Sequence, residues 1–222
     1  MPIPIDNLVR SRRKTIALIV QRDGTLTVRA PMRMSVVSIR EFVETHAEWI
    51  IKNQSKVLAA VPPPQKSYQD GETFPFLGKS RPLTIVSHQC PALTFDGHAF
   101  RLAKSALPKA EEAFVRWYKG QATALLLERV QLQAVKNGFH YQKIRISSAR
   151  TRWGSCSSTG TLSFTYRLVM APLEVVEYVV VHELVHTQVR NHSKTFWRRV
   201  GEIMPDYKVR RAWLKKNGQH LM

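Results

Sequence analysis

The sequence predicts an α+β protein. Three observations point there. Short apolar runs separated by turn residues fill most of the first hundred positions. Only one helix-periodic stretch interrupts them. Beyond Pro108 the pattern changes to long helical stretches with a few alternating segments between them. The expected division is a β-hairpin-rich region with one helix over residues 1–105 and a helical part over 106–222. A small sheet is expected beside the most apolar helix of the second part.

In chain order, Thr15 to Val20 is a short apolar run, Asp23-Gly24 is a turn signal, and Thr25 to Arg29 alternates. Pro31 closes that hairpin. Ser35 is a candidate cap for a helix whose apolar face would hold Val36, Ile39, Phe42, Val43, Trp49 and Ile50. Val61-Pro62-Pro63-Pro64 stops it and reads as a stiff connector. Extended pieces follow at Phe74 to Leu77, Leu83 to Val86, Leu93 to Phe95 and Ala99 to Leu102, with turns at Leu77-Gly78 and Asp96-Gly97.

Pro108 opens a long helix with Phe114, Trp117, Tyr118, Leu125, Leu126 and Val130 as core candidates, ending near Asn137-Gly138. Ile144 to Ser148 and Leu162 to Tyr166 alternate like strands. Gly154 and Thr159-Gly160 break the segment between them. Pro172 starts a strongly apolar helix expected to run from Leu173 to Val189.

The formal charge of the 222 residues is +18. Such a field attracts phosphate-bearing partners, acidic peptides or anionic surfaces without choosing among them. Basic residues gather early (Arg10, Arg12, Arg13, Lys14) and late (Arg190, Lys194, Arg198, Arg199, Lys208, Arg210, Arg211, Lys215, Lys216). No stretch is apolar enough for a membrane span. The first residues have no basic-then-apolar signal, and Cys90 and Cys156 are the only cysteines. The expected location is therefore cytoplasmic, without a disulfide framework.

The apolar helix carries His182-Glu183-Leu184-Val185-His186. Residues four apart share a helix face, so the two imidazoles can hold one ion, and zinc accepts nitrogen ligands. Glu183 lies in the same turn and can serve as base for water activated at the metal. A catalytic zinc needs a third protein ligand. His192 is the first candidate, since Arg190-Asn191 allows the chain to turn back and Ser193 can cap a following helix through Phe196, Trp197, Val200 and Ile203. Glu202 and His220 are rivals. His46, His88, His98 and His140 read as ordinary residues.

Arg152-Trp153-Gly154-Ser155-Cys156-Ser157, the His182–His186 segment, Asn191-His192-Ser193 and Phe196-Trp197 together resemble the bacterial YgjP-like family of predicted metal-dependent hydrolases, related to SprT-like and WLM zinc peptidases. The Ser11-Arg12-Arg13-Lys14 hairpin, Trp49-Ile50 and Pro205-Asp206-Tyr207 extend the likeness. The resemblance implies a zincin-like C-terminal part, a peptide or protein substrate, zinc ligands at His182, His186 and His192, and Glu183 as the base. Thr187 stands where an apolar residue is expected.

Arg152, Tyr166, Arg167 and Tyr207 are candidates for steadying the oxyanion. Leu162 to Arg167 reads equally as a core strand or as an edge that accepts an extended peptide. Cys156 reads as a structural thiol. Two other readings stay open. One is a metal-dependent nucleoside triphosphate pyrophosphatase or phosphohydrolase, weakened by the lack of a Gly-rich phosphate loop. The other is a SprT-like protein that meets nucleic acid through its basic surface.

Overall fold

The structure is a computed structural model that describes residues 2–21, 23–59, 66–218 and 221. It is α+β, and it divides into two compact units, Met1–Gln65 and Lys66–Met222.

In the first unit, strands β1 (Asn7–Ser11), β2 (Ala17–Val20) and β3 (Leu26–Pro31) form a sheet in the order β1-β3-β2. The Asp23-Gly24 turn joins β2 to β3 as expected. Asp23 Oδ1 accepts from the Thr25 amide at 3.0 Å, and Gly24 takes φ 83°, a value that suits glycine. The segment Ser11–Lys14 is not a hairpin between neighbouring strands, because β1 and β2 lie on opposite sides of β3. Ser35 caps α1 (Val36–Thr45), its hydroxyl accepting from the Ser38 amide at 3.0 Å.

The single expected helix is in fact two. His46 ends α1, and α2 runs Ala47–Ala59. The break puts Ile50 in the core with Leu26, Val28, Ala30, Ile39 and Val43, and leaves Trp49 47% exposed. The Pro62–Pro64 connector lies outside the described residues.

In the second unit, β4 (Thr73–Phe76), β5 (Lys79–Val86), β6 (Leu93–Phe95) and β7 (Phe100–Ala103) form a sheet in the order β4-β5-β7-β6. Leu77 and Gly78 turn the β4–β5 hairpin, both with positive φ (47° and 76°), as a two-residue hairpin loop demands. Their amides donate to Val169 and Met170 carbonyls at 2.8 and 3.2 Å. That anchors the hairpin to the chain just ahead of the apolar helix.

Helix α3 (Ala110–Asn137) buries every fourth residue from Ala110 to Ala134 and ends at Gly138 in the left-handed conformation. Its Phe114 stacks on Phe74 at 4.1 Å between centroids, and Phe100 lies 5.1 Å from Phe114. These contacts place the composition change near residue 105 inside one core. Phe74, Leu83, Leu93, Phe100 and Leu102 share that core with α3, so the compact units divide after Gln65 instead.

A third sheet holds β8 (Lys143–Ser147), β9 (Gly154–Cys156) and β10 (Thr161–Thr165) in the order β8-β10-β9. Helix α4 (Leu173–Val185) is buried over most of its surface, as the apolar residues on nearly every side of it require. Helices α5 (Lys194–Ile203) and α6 (Tyr207–Asn217) complete the unit. No helix among the described residues is long and apolar enough to cross a membrane.

Candidate metal centre

Helix α4 carries Glu174 and Glu177 in its first half and His182 and Glu183 near its C-terminal end. It stops at Val185, four residues short of expectation, because the chain tightens there. The Thr187 and Gln188 amides donate to Leu184 and Val185 carbonyls at 2.9 and 3.0 Å. The Thr187 hydroxyl also donates to Leu184 O at 2.7 Å, which gives a hydroxyl at that position a structural use. The turn brings Val189 O to 3.0 Å from His186 Nδ1. It also sends the chain back so that His192 faces the helix.

His182, His186 and His192 thereby meet. Nε2 of His192 lies 3.0 Å from Nε2 of His182 and 3.1 Å from Nε2 of His186. Four ligands in a tetrahedron around zinc at ~2.0–2.1 Å have edges of about 3.3–3.4 Å. The two distances from His192 are therefore close to the spacing a zinc ion asks for, and all three ligand atoms lie within 4.8 Å of one another. An Nδ1–H on His186 donating to Val189 O would leave its Nε2 lone pair free for a metal. Burial, with His186 and His192 adding to it, pushes His182 down to about 3, so it is neutral, the state a ligand needs. Its Nδ1 is buried without a hydrogen-bond partner among the described residues. His192 is exposed, so the cluster is reachable from solvent, as an open catalytic site must be.

The rings are held by aromatic neighbours. Phe196 lies 4.4 Å from His186 between centroids, and Trp197 stacks on His192 at 5.7 Å. Tyr207 stacks on Trp197, and Arg211 covers the same indole at 4.6 Å. Tyr178, one turn before His182, sets its ring 5.9 Å from that imidazole. The spacing of four from His182 was a legible signal for Tyr178. Nothing local marked Arg211.

Glu183 is 5% exposed and packs against β9. Burial raises its carboxyl to about 8, and the Arg152 charge opposes that rise. A Cβ at Gly154 would lie 2.5 Å from Glu183 Oε1. Only a glycine allows the strand to come so close. Gly154, expected as a break, is thus the first residue of a strand and part of the wall behind Glu183.

The strand Leu162 to Arg167, one candidate for a peptide-accepting edge, is in the middle of its sheet as β10. The edge beside α4 is β9. Thr165 N donates to Trp153 O, Ser157 N donates to Thr161 O, and Ser155 faces Ser163. By antiparallel alternation, the N–H and C=O groups of Gly154 and Cys156 point away from β10. Among the described residues no strand pairs with that side.

Of the oxyanion candidates, Tyr166 and Arg167 are committed elsewhere. Tyr166 is buried against Tyr118, and Arg167 donates to Ser148 O at 3.2 Å while covering the Tyr166 ring. Arg152 is the one that acts on Glu183. Glu202, exposed on α5, pairs with Arg199 at 3.3 Å and is outside the histidine cluster. His220 lies outside the described residues. Cys156 is a free, half-buried thiol raised by burial.

The YgjP-like metallopeptidase domain model matches residues 14–217. The chain belongs to the YgjP-like metallopeptidase family. Among solved structures it is similar to the metallopeptidase zymogen abylysin of Pyrococcus abyssi, with 20% identity and a TM-score of 0.39, over 44% of this chain and 99% of that one. It is also similar to the metallopeptidase zymogen jannalysin of Methanocaldococcus jannaschii, with 18% identity and a TM-score of 0.34, over 39% and 93%. No curated protein matches it. Membership in the family implies a metal ion, and the three histidines are a donor set that fits one.

Proposed function

We propose that the protein is a zinc peptidase in which His182, His186 and His192 hold the ion and Glu183 is the general base. The observation that supports this most is that His192 Nε2 lies 3.0–3.1 Å from Nε2 of both His182 and His186, with all three ligand atoms within 4.8 Å of one another, beside the buried Glu183. Three imidazole nitrogens suit zinc better than magnesium, which prefers oxygen donors.

When bound, zinc supplies Lewis acidity, polarising a carbonyl and making water a nucleophile near neutral pH. The chain's own groups do the rest. The outward N–H and C=O groups of Gly154 and Cys156 receive an extended peptide as an added strand, which orients it past Glu183 with little demand on its side chains. Glu183 takes a proton from the attacking water as the new C–O bond forms. It returns that proton to the amine nitrogen as the C–N bond breaks. The charge of Arg152, together with a cation at the histidines, draws the Glu183 carboxyl down from its metal-free value towards a base's working range.

The test is Glu183→Gln in zinc-loaded protein, assayed on quenched-fluorescence peptide pools. The variant keeps its zinc and its fold and loses about 10²–10⁴-fold in turnover, the size of a general-base contribution. A Glu183→Gln protein that cleaves as well as the parent removes the mechanism.

A further inference from the structure

Three arginines border the site. Arg152 precedes Gly154 of β9 by two residues, Arg190 is bonded to the Ser157 and Ser158 carbonyls just beyond β9, and Arg211 lies over the Trp197 ring that stacks on His192. Among the described residues none of these arginines sits in an ion pair.

Arg190 is the most constrained of them. Its Nη1 donates to Ser157 O at 2.7 Å and its Nη2 to Ser158 O at 2.9 Å, and Nη1 passes Cys156 Sγ at 3.8 Å. Carbonyls fix the fork without neutralising it, and a guanidinium has five N–H donors, so some stay free. The group is therefore a pre-oriented, uncompensated cation at the end of β9 where the strand leaves the sheet. Arg152 is exposed and lies two residues before Gly154, at the other end of the same edge. At ~3.3 Å per residue, the stretch from Arg152 to Ser158 spans about six residues of an extended partner.

We propose that the site selects extended peptides carrying acidic side chains on both sides of the segment that pairs with β9, with Arg190 reading one end and Arg152 the other. This rests on the peptidase reading above and adds a substrate class to it. The cations would act on selection and encounter, because exposed ion pairs bring modest affinity and strong steering.

The experiment uses zinc-loaded Glu183→Gln protein, which should bind without cleaving. The probes are three fluorescein-labelled decapeptides with the same Ala/Leu centre and with Asp, Gln or Lys on both flanks, followed by anisotropy across salt. The acidic peptide is expected to bind tightest, by about fivefold per flank over the neutral one, the upper range for an exposed pair. The preference should weaken as salt screens it. Arg190→Glu and Arg152→Glu should each shift the order towards the lysine peptide.

Arg116→Glu, on α3, makes the same change in net charge and should leave the preference in place. If Arg116→Glu erodes it as much as Arg190→Glu does, the overall charge of +18 is responsible and the proposal falls. It also falls if the lysine peptide binds as well as the acidic one. The same holds if Arg190→Glu weakens all three equally, since that is the mark of a merely structural role. If no peptide binds at all, the peptidase reading goes first and the preference with it.

Discussion

Replacing Gly154 with alanine adds one methyl group where β9 presses on Glu183. The new Cβ would lie 2.5 Å from Oε1, 2.7 Å from Cγ and 2.8 Å from Cδ of Glu183, and ordinary contact begins near 3.4 Å. The carboxylate must therefore move by about 1 Å or the strand must back away. Neither is free. The strand at Gly154 is tied to β10 through its neighbours, Trp153 O accepting from Thr165 N and Ser155 facing Ser163, and α4 is largely buried, so most of the shift falls on the Glu183 side chain. Overpacking of this kind costs about 1–3 kcal/mol. A 1 Å misplacement of a reacting group costs about 10²-fold in rate.

The expected result for Gly154→Ala is unchanged zinc content, a modest loss of stability in urea unfolding, and about 10²-fold lower kcat with KM little altered. In a Glu183→Gln background the alanine should cost almost nothing more, because the group it displaces is already disabled. A Gly154→Ala protein with full kcat would refute the reasoning. So would a further large loss in the Glu183→Gln background, which would mean that the glycine serves the fold or the peptide and not the base.

His186→Ala should lose most of the roughly one zinc per chain expected of a catalytic site, measured by elemental analysis; full occupancy in that variant removes it as a ligand. Metal-free protein should lose stability as pH rises from 6.5 to 8. The reason is that Glu183, raised from 4.5 to about 8 on folding, keeps its proton in the folded state while the unfolded chain has released it. The slope has an upper limit of about 1.4 kcal/mol per pH unit, and Glu183→Gln should flatten it in pH-dependent urea unfolding; an unchanged slope would assign the effect to another group. On the acid side His182 works in the opposite sense, because its folded value of about 3 lies below the 6.5 of the free side chain. The loss it causes on acidification is offset by Glu183 down to pH 4.5, so stability should fall as pH drops from 4.5 towards 3, and His182→Gln should lessen that fall.

The sequence by itself determined the parts whose signal is local. The spacing His182–His186 and the glutamate between them put three chemical groups on one helical turn, and 3.6-residue periodicity is enough to say so. Ser35, Asp23-Gly24, Leu77-Gly78 and Gly138 each marked their cap or turn through backbone preferences that act within a few residues. What only the tertiary structure decided depends on contacts between distant segments. The return of His192 onto α4 depends on how the turn after Val185 closes, and on Phe196 and Trp197 packing behind the rings.

Gly154 looked like a break because glycine lowers strand propensity. Its place in β9 comes from pairing with Phe164 and from the bulk of Glu183, 29 residues on, neither of which leaves a local trace. Leu162 to Thr165 alternates equally well at an edge or in the centre of a sheet, since alternation reports faces and not neighbours. The composition change near residue 105 reports secondary structure, while the compact units follow the core. That core joins Phe74 and Phe100 to Phe114 and so carries the division back to Gln65.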